Sequence, residues 1–267
     1  MNQTLSGAAV AVGIDGSPSA VHAARWASRE ALRRGVALRL IYVIESHSAG
    51  IRHETEVAEA ALRSAHDAVN RSGPSTEVQT TVVRGQVAAA LVAESARAHL
   101  LCLGAARVAH RTLKLPGGAI AAAVALPARC QVAIIRTQGD GPPAKKTNVA
   151  VVVDDSAKVG AVVRVALEVA RSRGAGLLAL RVLPPRTRQV RADPISLCLT
   201  RWLNNNPDVA SEVLTVPTDI PTFLAARQPV VELIVAGNAR GQQAGRLIGP
   251  YARAVLRNTD CSVLLVR

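Results

Sequence analysis

Short apolar runs alternate along the chain with longer segments in which apolar residues recur every three or four positions. Residues 10–14 (VAVGI) and 38–44 (LRLIYVI) are apolar runs of strand length, which is typical of strands buried on both faces of a parallel sheet. Residues 17–35 between them have helical spacing. The same criteria predict a helix at 54–71, a strand at 77–83, a helix at 86–98, a strand at 100–104, a helix at 118–126 and a strand at 131–136.

The segment 17–35 also carries the start and stop signals of a helix. Ser17 is a residue type that caps a helix N-terminus, Pro18 suits the first helical position, and Gly35 suits the end. The pattern predicts an apolar face made of Val21, Ala24, Ala27, Ala31 and Leu32.

The pattern occurs twice. Residues 10–44 align without gaps on residues 149–183, and 12 of the 35 aligned positions are identical. The ends match as well, because CQVAIIR at 130–136 resembles CSVLLVR at 261–267. Between the copies, residues 137–147 (TQGDGPPAKKT) replace the apolar periodicity with Gly, Pro and Lys. The chain is therefore predicted to contain two diverged copies of one fold.

Alternating strands and helices favour a parallel sheet with right-handed crossovers and helices on both faces. We therefore predict an α/β protein with two tandem copies of a doubly wound, five-stranded, Rossmann-like parallel sheet. The first copy is expected at 1–138, the linker at 139–147 and the more diverged copy at 148–267. A ligand would lie beyond the carboxyl ends of the strands, where the strand order reverses.

Composition narrows the function classes. The chain has 267 residues, of which 49% are hydrophobic and only 2% aromatic, and its net charge is +13. The positive charge is spread evenly, with 15 Lys and Arg against 9 Asp and Glu in residues 1–139, and 17 against 10 in the rest. A basic anion-binding or nucleic-acid-binding module is therefore an alternative function, but nucleic-acid stacking is disfavoured by the few aromatic residues.

Candidate catalytic and metal-binding patterns are missing from the sequence. The four cysteines and six histidines have no metal-ligand spacing. The chain also lacks a G-x-S-x-G elbow, a G-x-x-x-x-G-K-[ST] loop and an evident acid and base pair. We predict no metal and no enzyme activity. Without an apolar run of spanning length or a signal peptide, a reduced cytoplasmic location is the simplest interpretation.

Several local features together carry a family resemblance. GIDGSPSA at 13–20, an Ala-rich helix with Trp26, the strand IYVI at 41–44 and a closing C-x-V-x-I-I-R strand resemble the universal stress protein family. The duplication resembles its tandem-domain form, which is common in actinobacteria. The resemblance implies a cytoplasmic, non-catalytic regulatory or protective module in stress or dormancy, and adenine-nucleotide binding. A slow ATPase is a weaker alternative.

ATP-binding members of that family carry Gly, two residues, Gly, nine residues, then Gly with Ser or Thr. Glycines let backbone amides approach phosphate, and the following helix start favours anions. Gly104 and Gly117 match the first and third Gly, whereas Arg107 replaces the second and Gly118 replaces Ser or Thr. In the second copy the candidate positions are Gly237, Arg240 and Gly249.

Arg107 changes the expected phosphate site in two opposing ways. Its side chain occupies space and disfavours a positive φ, yet a guanidinium can hold phosphate bidentately. Pro250 follows Gly249 and removes an amide donor. We therefore expect ATP binding to be weakened or altered.

The base and ribose side of each site matches the family better. The candidate residues there are Asp15, Gly16, Ser17 and Val43 in the first copy, and Asp154, Ser156 and Val182 in the second. Asp and Ser after a strand are also ordinary turn and capping residues, so a structural role and a ligand contact are both open. The family's use of the last strand implies a homodimer, or pairing of the two copies, through 130–136 and 261–267. The partner protein stays unknown.

Overall fold

The computed structural model describes residues 9–45, 51–74, 76–105, 119–136, 148–154, 156, 158–182, 194–216, 219–227, 231–238, 247–248 and 261–267. The chain divides into two compact units, Met1–Thr137 and Gln138–Arg267. The predicted linker at 139–147 lies outside the described residues.

The first unit is a five-stranded parallel sheet with helical crossovers. Its elements are β1 (Ala9–Ile14), α1 (Pro18–Arg34), β2 (Leu38–Ile44), α2 (Ile51–Asn70), β3 (Val78–Arg84), α3 (Val87–Glu94), β4 (Ala98–Ala105), α4 (Ala119–Ala125) and β5 (Gln131–Arg136). The strand order is β3-β2-β1-β4-β5, and every neighbouring pair is parallel.

The second unit repeats this arrangement. Its elements are β6 (Asn148–Val153), α5 (Val159–Arg173), β7 (Gly176–Val182), α6 (Pro194–Asn204), β8 (Ser211–Val216), α7 (Ile220–Arg227), β9 (Val231–Gly237) and β10 (Ser262–Val266). The order is β8-β7-β6-β9-β10, again with parallel neighbours. Because each strand has the same neighbours as its counterpart in the first unit, the prediction of two copies of one doubly wound fold is confirmed.

The local signals around α1 have their predicted structural roles. Ser17 Oγ accepts a hydrogen bond from the Ala20 amide at 3.2 Å, and Pro18 is the first helical residue. Gly35 ends the helix with φ of +64°, a conformation that favours glycine. The start and end of this helix are therefore fixed by local chemistry.

The predicted apolar face of α1 is partly wrong. Ala27 and Ala31 are buried as expected, but Leu32 is 46% exposed and Trp26 is buried. Small alanine side chains allow the helix axis to approach the sheet, so the buried face follows the alanines. Leu32 lies just outside that face.

The predicted boundaries around α3 and α2 also need correction. The helix predicted at 86–98 ends at Glu94, a 3₁₀ turn follows, and β4 begins at Ala98 instead of residue 100. Ser95 Oγ donates to the Val92 carbonyl at 2.6 Å and accepts from the Arg129 amide at 2.8 Å. This contact with a distant segment ends the helix. α2 begins at residue 51, three residues before the predicted start.

A buried carboxylate ties the end of α1 to the sheet. Glu30 is 6% exposed, and its carboxylate accepts from Arg33 at 2.5 Å and Arg34 at 2.7 Å. Arg34 also donates to the Gln131 side chain at 3.3 Å. Burial raises the pKa of Glu30, but the hydrogen bonds and charges of the two arginines outweigh it, so the pKa is lowered. The carboxylate is thus held ionised in the core.

Candidate functional site

The strand order reverses at β1 in the first unit and at β6 in the second. β1 lies between β2 and β4, and β6 lies between β7 and β9. In such sheets the loops at the carboxyl ends of these strands diverge and leave a crevice for a ligand. Asp15 follows β1 directly, and Gly104 lies near the end of β4.

A tight turn positions Asp15 at this crevice. Asp15 Oδ1 accepts a hydrogen bond from the Ser17 amide at 2.9 Å, and Gly16 has φ of +79°. Ser17 Oγ lies 2.9 Å from Ser19 Oγ and caps α1. Asp15 is exposed, and within the described part of the chain its Oδ2 accepts no hydrogen bond. The structural role of the turn is therefore shown, while the ligand contact stays a prediction.

The second unit keeps the turn and loses the cap. Asp154 Oδ1 accepts from the Ser156 amide at 3.1 Å, as Asp15 does from Ser17. α5, however, begins only at Val159, and its N-cap residue Lys158 makes no side-chain capping bond. The Ser156 carbonyl accepts from the Val159 amide at 3.1 Å. The strand ends and loops that border the two crevices, which we call the rims, therefore share the acidic turn and differ at the helix start.

Packing requires a glycine at position 104, whether or not a ligand binds there. A Cβ on this residue would lie 2.5 Å from the carbonyl carbon and oxygen of Ser19 and 2.7 Å from the Ala20 amide nitrogen. The first turn of α1 thus lies directly against β4. At Gly237 a Cβ would meet, among the atoms of the described residues, only Val162 Cγ2, at 3.3 Å. The first glycine of the predicted phosphate loop therefore has a structural function in the first unit.

Tyr42 belongs to the crevice rim, and the sequence interpretation missed it. Tyr42 pairs with Ile14, the residue before Asp15. Burial raises the pKa of Tyr42, and the negative charges of Asp15 and Glu54 raise it further. The rim of the first unit is therefore acidic. Val43, the predicted backbone contact, is half-buried next to Tyr42.

Arg181 takes the corresponding place in the second unit. It pairs with Val153, the residue before Asp154, and is only 5% exposed. Its Nη1 donates to the Val182 carbonyl at 3.3 Å, and Val182 is half-buried. The gapless alignment of the two copies already places Arg181 on Tyr42, which is the signal that could have found the pair. Its burial could not be read from the sequence.

The predicted phosphate side falls outside the described residues. This applies to Arg107, Gly117, Gly118, Arg240 and Gly249. Their assignments stay predictions. Among the residues that the structure describes, no cluster of three or more His, Cys, Asp or Glu side chains has an arrangement that could hold a metal ion. None of the described helices is long and apolar enough to span a membrane.

Comparison with known proteins assigns the family. The universal stress protein family profile matches residues 9–136 and 146–267. The universal stress protein Rv2624c of Mycobacterium tuberculosis is 33% identical, over 97% of this chain and 96% of that protein. The crystal structure of a universal stress protein from Archaeoglobus fulgidus has a TM-score of 0.72 at 17% identity, over 97% of this chain and 96% of that one.

A universal stress protein solved in complex with cAMP matches 48% of this chain and 96% of its own, at 26% identity and a TM-score of 0.38. The family profile matches one segment in each compact unit, and a tandem relative aligns over nearly the whole length of the chain. The chain belongs to the universal stress protein family, as a tandem-domain member of the actinobacterial type.

Proposed function

We propose that this protein is a non-catalytic regulatory or protective module of the cytoplasmic stress or dormancy response, whose first unit binds an adenine nucleotide. The observation that carries the proposal is the acidic turn at the point where the strand order reverses. Asp15 lies there with one carboxylate oxygen fixed by the Ser17 amide at 2.9 Å. The second unit repeats that turn at Asp154.

The geometry suits recognition of a ribose. Because Ser17 fixes Oδ1, the direction of the Asp15 carboxylate is set before a ligand arrives, and Oδ2 can accept from a hydroxyl. A carboxylate beyond a strand end is a known way to bind ribose hydroxyls in doubly wound folds. Tyr42 and the half-buried residue Val43 lie at the end of the adjacent strand, where an adenine edge would meet the sheet.

Binding is expected to be weaker than in family members with an intact phosphate loop. Arg107 stands where they have glycine, and Gly118 stands where they have Ser or Thr. The base and ribose side then supplies most of the affinity. AMP and ATP should therefore bind within about a factor of ten of each other, which corresponds to about 1.4 kcal/mol.

Calorimetry on the full chain tests this proposal. Asp15→Asn removes a charged acceptor, a contact worth about 1.5–3 kcal/mol, so the affinity for AMP should fall about 10- to 100-fold. Asp67→Asn, a neutralised exposed residue of α2, is the matched control and should change little. Absence of any AMP or ATP binding would refute the proposal. A low micromolar Kd for ATP with far weaker AMP binding would refute the expectation that the phosphate side of the site is altered.

The net charge of +13 favours a second candidate, a basic module that binds anions or nucleic acid. Salt separates the two functions, because non-specific binding to DNA falls steeply as salt rises. A nucleotide site would respond mainly to the identity of the base. Phosphate release from ATP, measured in the same samples, tests the weaker alternative of a slow ATPase.

The oligomeric state stays a prediction from the sequence. Pairing through the last strands, within a homodimer or between the two copies, was expected from residues 130–136 and 261–267. Light scattering of the full chain measures the mass, and a strict monomer at high concentration would exclude the homodimer.

A further inference from the structure

Two turns of the first unit lie side by side at the amino ends of its strands. One is the 3₁₀ turn Ser95–Arg97, which leads into β4, and the other is the turn at 126–130, which leads into β5. The Ser95 hydroxyl joins them, because it accepts a hydrogen bond from the Arg129 amide at 2.8 Å. The exposed residues of these turns and of the start of β4, which we call the amino-end surface, are Ala96, Arg97, His99, Leu126, Pro127 and Arg129.

The amino-end surface carries an excess of positive charge. The Arg97 side chain is 77% exposed and lies 4.0 Å from the Glu94 carboxylate. Glu94 is only 15% exposed, and it also accepts from Arg39 at 3.5 Å, so one partly buried carboxylate is shared between two arginines. In the described part of the chain, the Arg129 guanidinium forms no ion pair. The surface therefore offers exposed guanidinium groups to an anionic partner.

The second unit does not share this charge, although it has the same fold. His99 occupies a bulge where β4 pairs with β1, and the same bulge between β9 and β6 holds Glu232. The Glu232 carboxylate accepts from Arg173 at 2.8 Å. The alignment of the two closing strands places Asp260 where the first unit has Arg129. Because the fold accommodates an acid at both positions, the basic residues of the first unit are not a requirement of the fold.

An apolar group lies beside these charges. The Leu126 side chain is 42% exposed, and Pro127 next to it is exposed as well. A nucleic acid could present phosphates to the arginines, but its backbone would leave Leu126 uncovered. A peptide can offer carboxylates and an apolar side chain within a few residues.

We propose that the amino-end surface binds an acidic segment of a partner protein, whose carboxylates pair with Arg97 and Arg129 and whose apolar side chain covers Leu126. Complementary charges across an interface speed association and exclude wrong partners, and arginine can hold a carboxylate bidentately. The crevice beside Asp15 lies at the opposite, carboxyl ends of the strands. The proposal therefore does not rest on nucleotide binding.

Fluorescence anisotropy on the full chain tests this interaction with a labelled peptide of glutamates and leucines. Two further peptides carry lysine in place of glutamate or serine in place of leucine, and a DNA duplex tests a nucleic acid as the partner. The variants are Arg129→Glu, Leu126→Ser and a double variant with Arg129→Glu and His99→Glu, which gives both positions the acidic charge of the second unit. Arg25→Glu, at an exposed arginine of α1, is the matched control for charge reversal. Far-UV circular dichroism checks that each variant is folded.

The wild-type chain should bind the glutamate–leucine peptide and neither of the other two peptides comparably. Its affinity should fall about threefold in Arg129→Glu and in Leu126→Ser and about tenfold in the double variant, and stay within about twofold in Arg25→Glu. Equal losses in Arg129→Glu and Arg25→Glu would show that only net charge matters and would overturn the proposal. It would also be overturned if the wild-type chain did not bind the peptide, bound the serine peptide equally well, or bound the DNA duplex more tightly through the same residues.

Discussion

Gly104 lies where the first turn of α1 crosses the end of β4, and its replacement by alanine tests how closely the two elements pack. The added Cβ would lie 2.5 Å from two backbone atoms of Ser19 and 2.7 Å from the Ala20 amide nitrogen. Comfortable carbon contacts begin at about 3.5 Å. All three neighbours are backbone atoms, so no change of rotamer relieves the overlap, and α1 must move away from the sheet.

The cost can be estimated from that overlap. Overpacking of a well-packed core costs about 1–3 kcal/mol, and the absence of a flexible neighbour places Gly104→Ala near the upper end. For a unit of this size, each kcal/mol lowers the midpoint of thermal unfolding by about 4 °C. The first unit should therefore unfold about 10 °C lower than in the wild-type chain.

Tryptophan fluorescence separates the units in this assay. The chain contains two tryptophans; Trp26 is buried in α1, and Trp202 belongs to α6 of the second unit. In a Trp202→Phe background, the unfolding transition reported by Trp26 follows the first unit. Thermal scans with and without Gly104→Ala in this background give the shift directly.

Gly237→Ala is the matched control, since it alters the same place in the second unit. There the nearest atom in the described part of the chain is a side-chain methyl, Val162 Cγ2, at 3.3 Å, so circular dichroism should show a shift below about 3 °C. A Gly104→Ala midpoint within about 2 °C of wild type would refute the packing argument. The glycine would then be free to serve the ligand alone.

Three further predictions follow from buried or perturbed groups. The pKa of Glu30 is lowered in the folded protein. Its contribution to stability is therefore present above the ordinary pKa of 4.5 and is lost as the pH falls through the lower folded pKa. Urea midpoints measured as a function of pH should show this loss of stability in the wild-type chain and lack it in Glu30→Gln. Asp15→Asn should lower the pKa of Tyr42, because one of the negative charges that raise it disappears; ultraviolet titration of the phenol checks this. Cys198 is exposed, whereas Cys102 is buried and its pKa is strongly raised. A thiol reagent should therefore label Cys198 before Cys102. Equal labelling rates for the two thiols would contradict the burial of Cys102.

The elements that the sequence predicted well depend on local chemistry. The start of α1 follows from Ser17 and Pro18, and its end follows from Gly35. The repeat predicted the shared strand order, since two copies of one pattern fold alike. The end of α3 could not be predicted, because the Ser95 hydroxyl that stops it bonds to the amide of Arg129, 34 residues away.

The site was predicted to a similar extent. The turns at Asp15 and Asp154 were expected from residue type, and both formed. The acidic surroundings of Tyr42 depend on Glu54 in another helix, and the burial of Arg181 depends on the packed strand end. Neither is encoded in a short motif, because both arise from residues brought together by the sheet.

The missing cap on α5 has a consequence for motion. Ser17 satisfies an amide in the first turn of α1 at 3.2 Å, whereas Lys158 offers no such bond to α5. A helix start without a cap is less stable by about 1 kcal/mol, so its first turn opens more often. Deuterium should therefore enter the first turn of α5 about five times faster than that of α1, which makes the rim around Arg181 the more pliable of the two crevices.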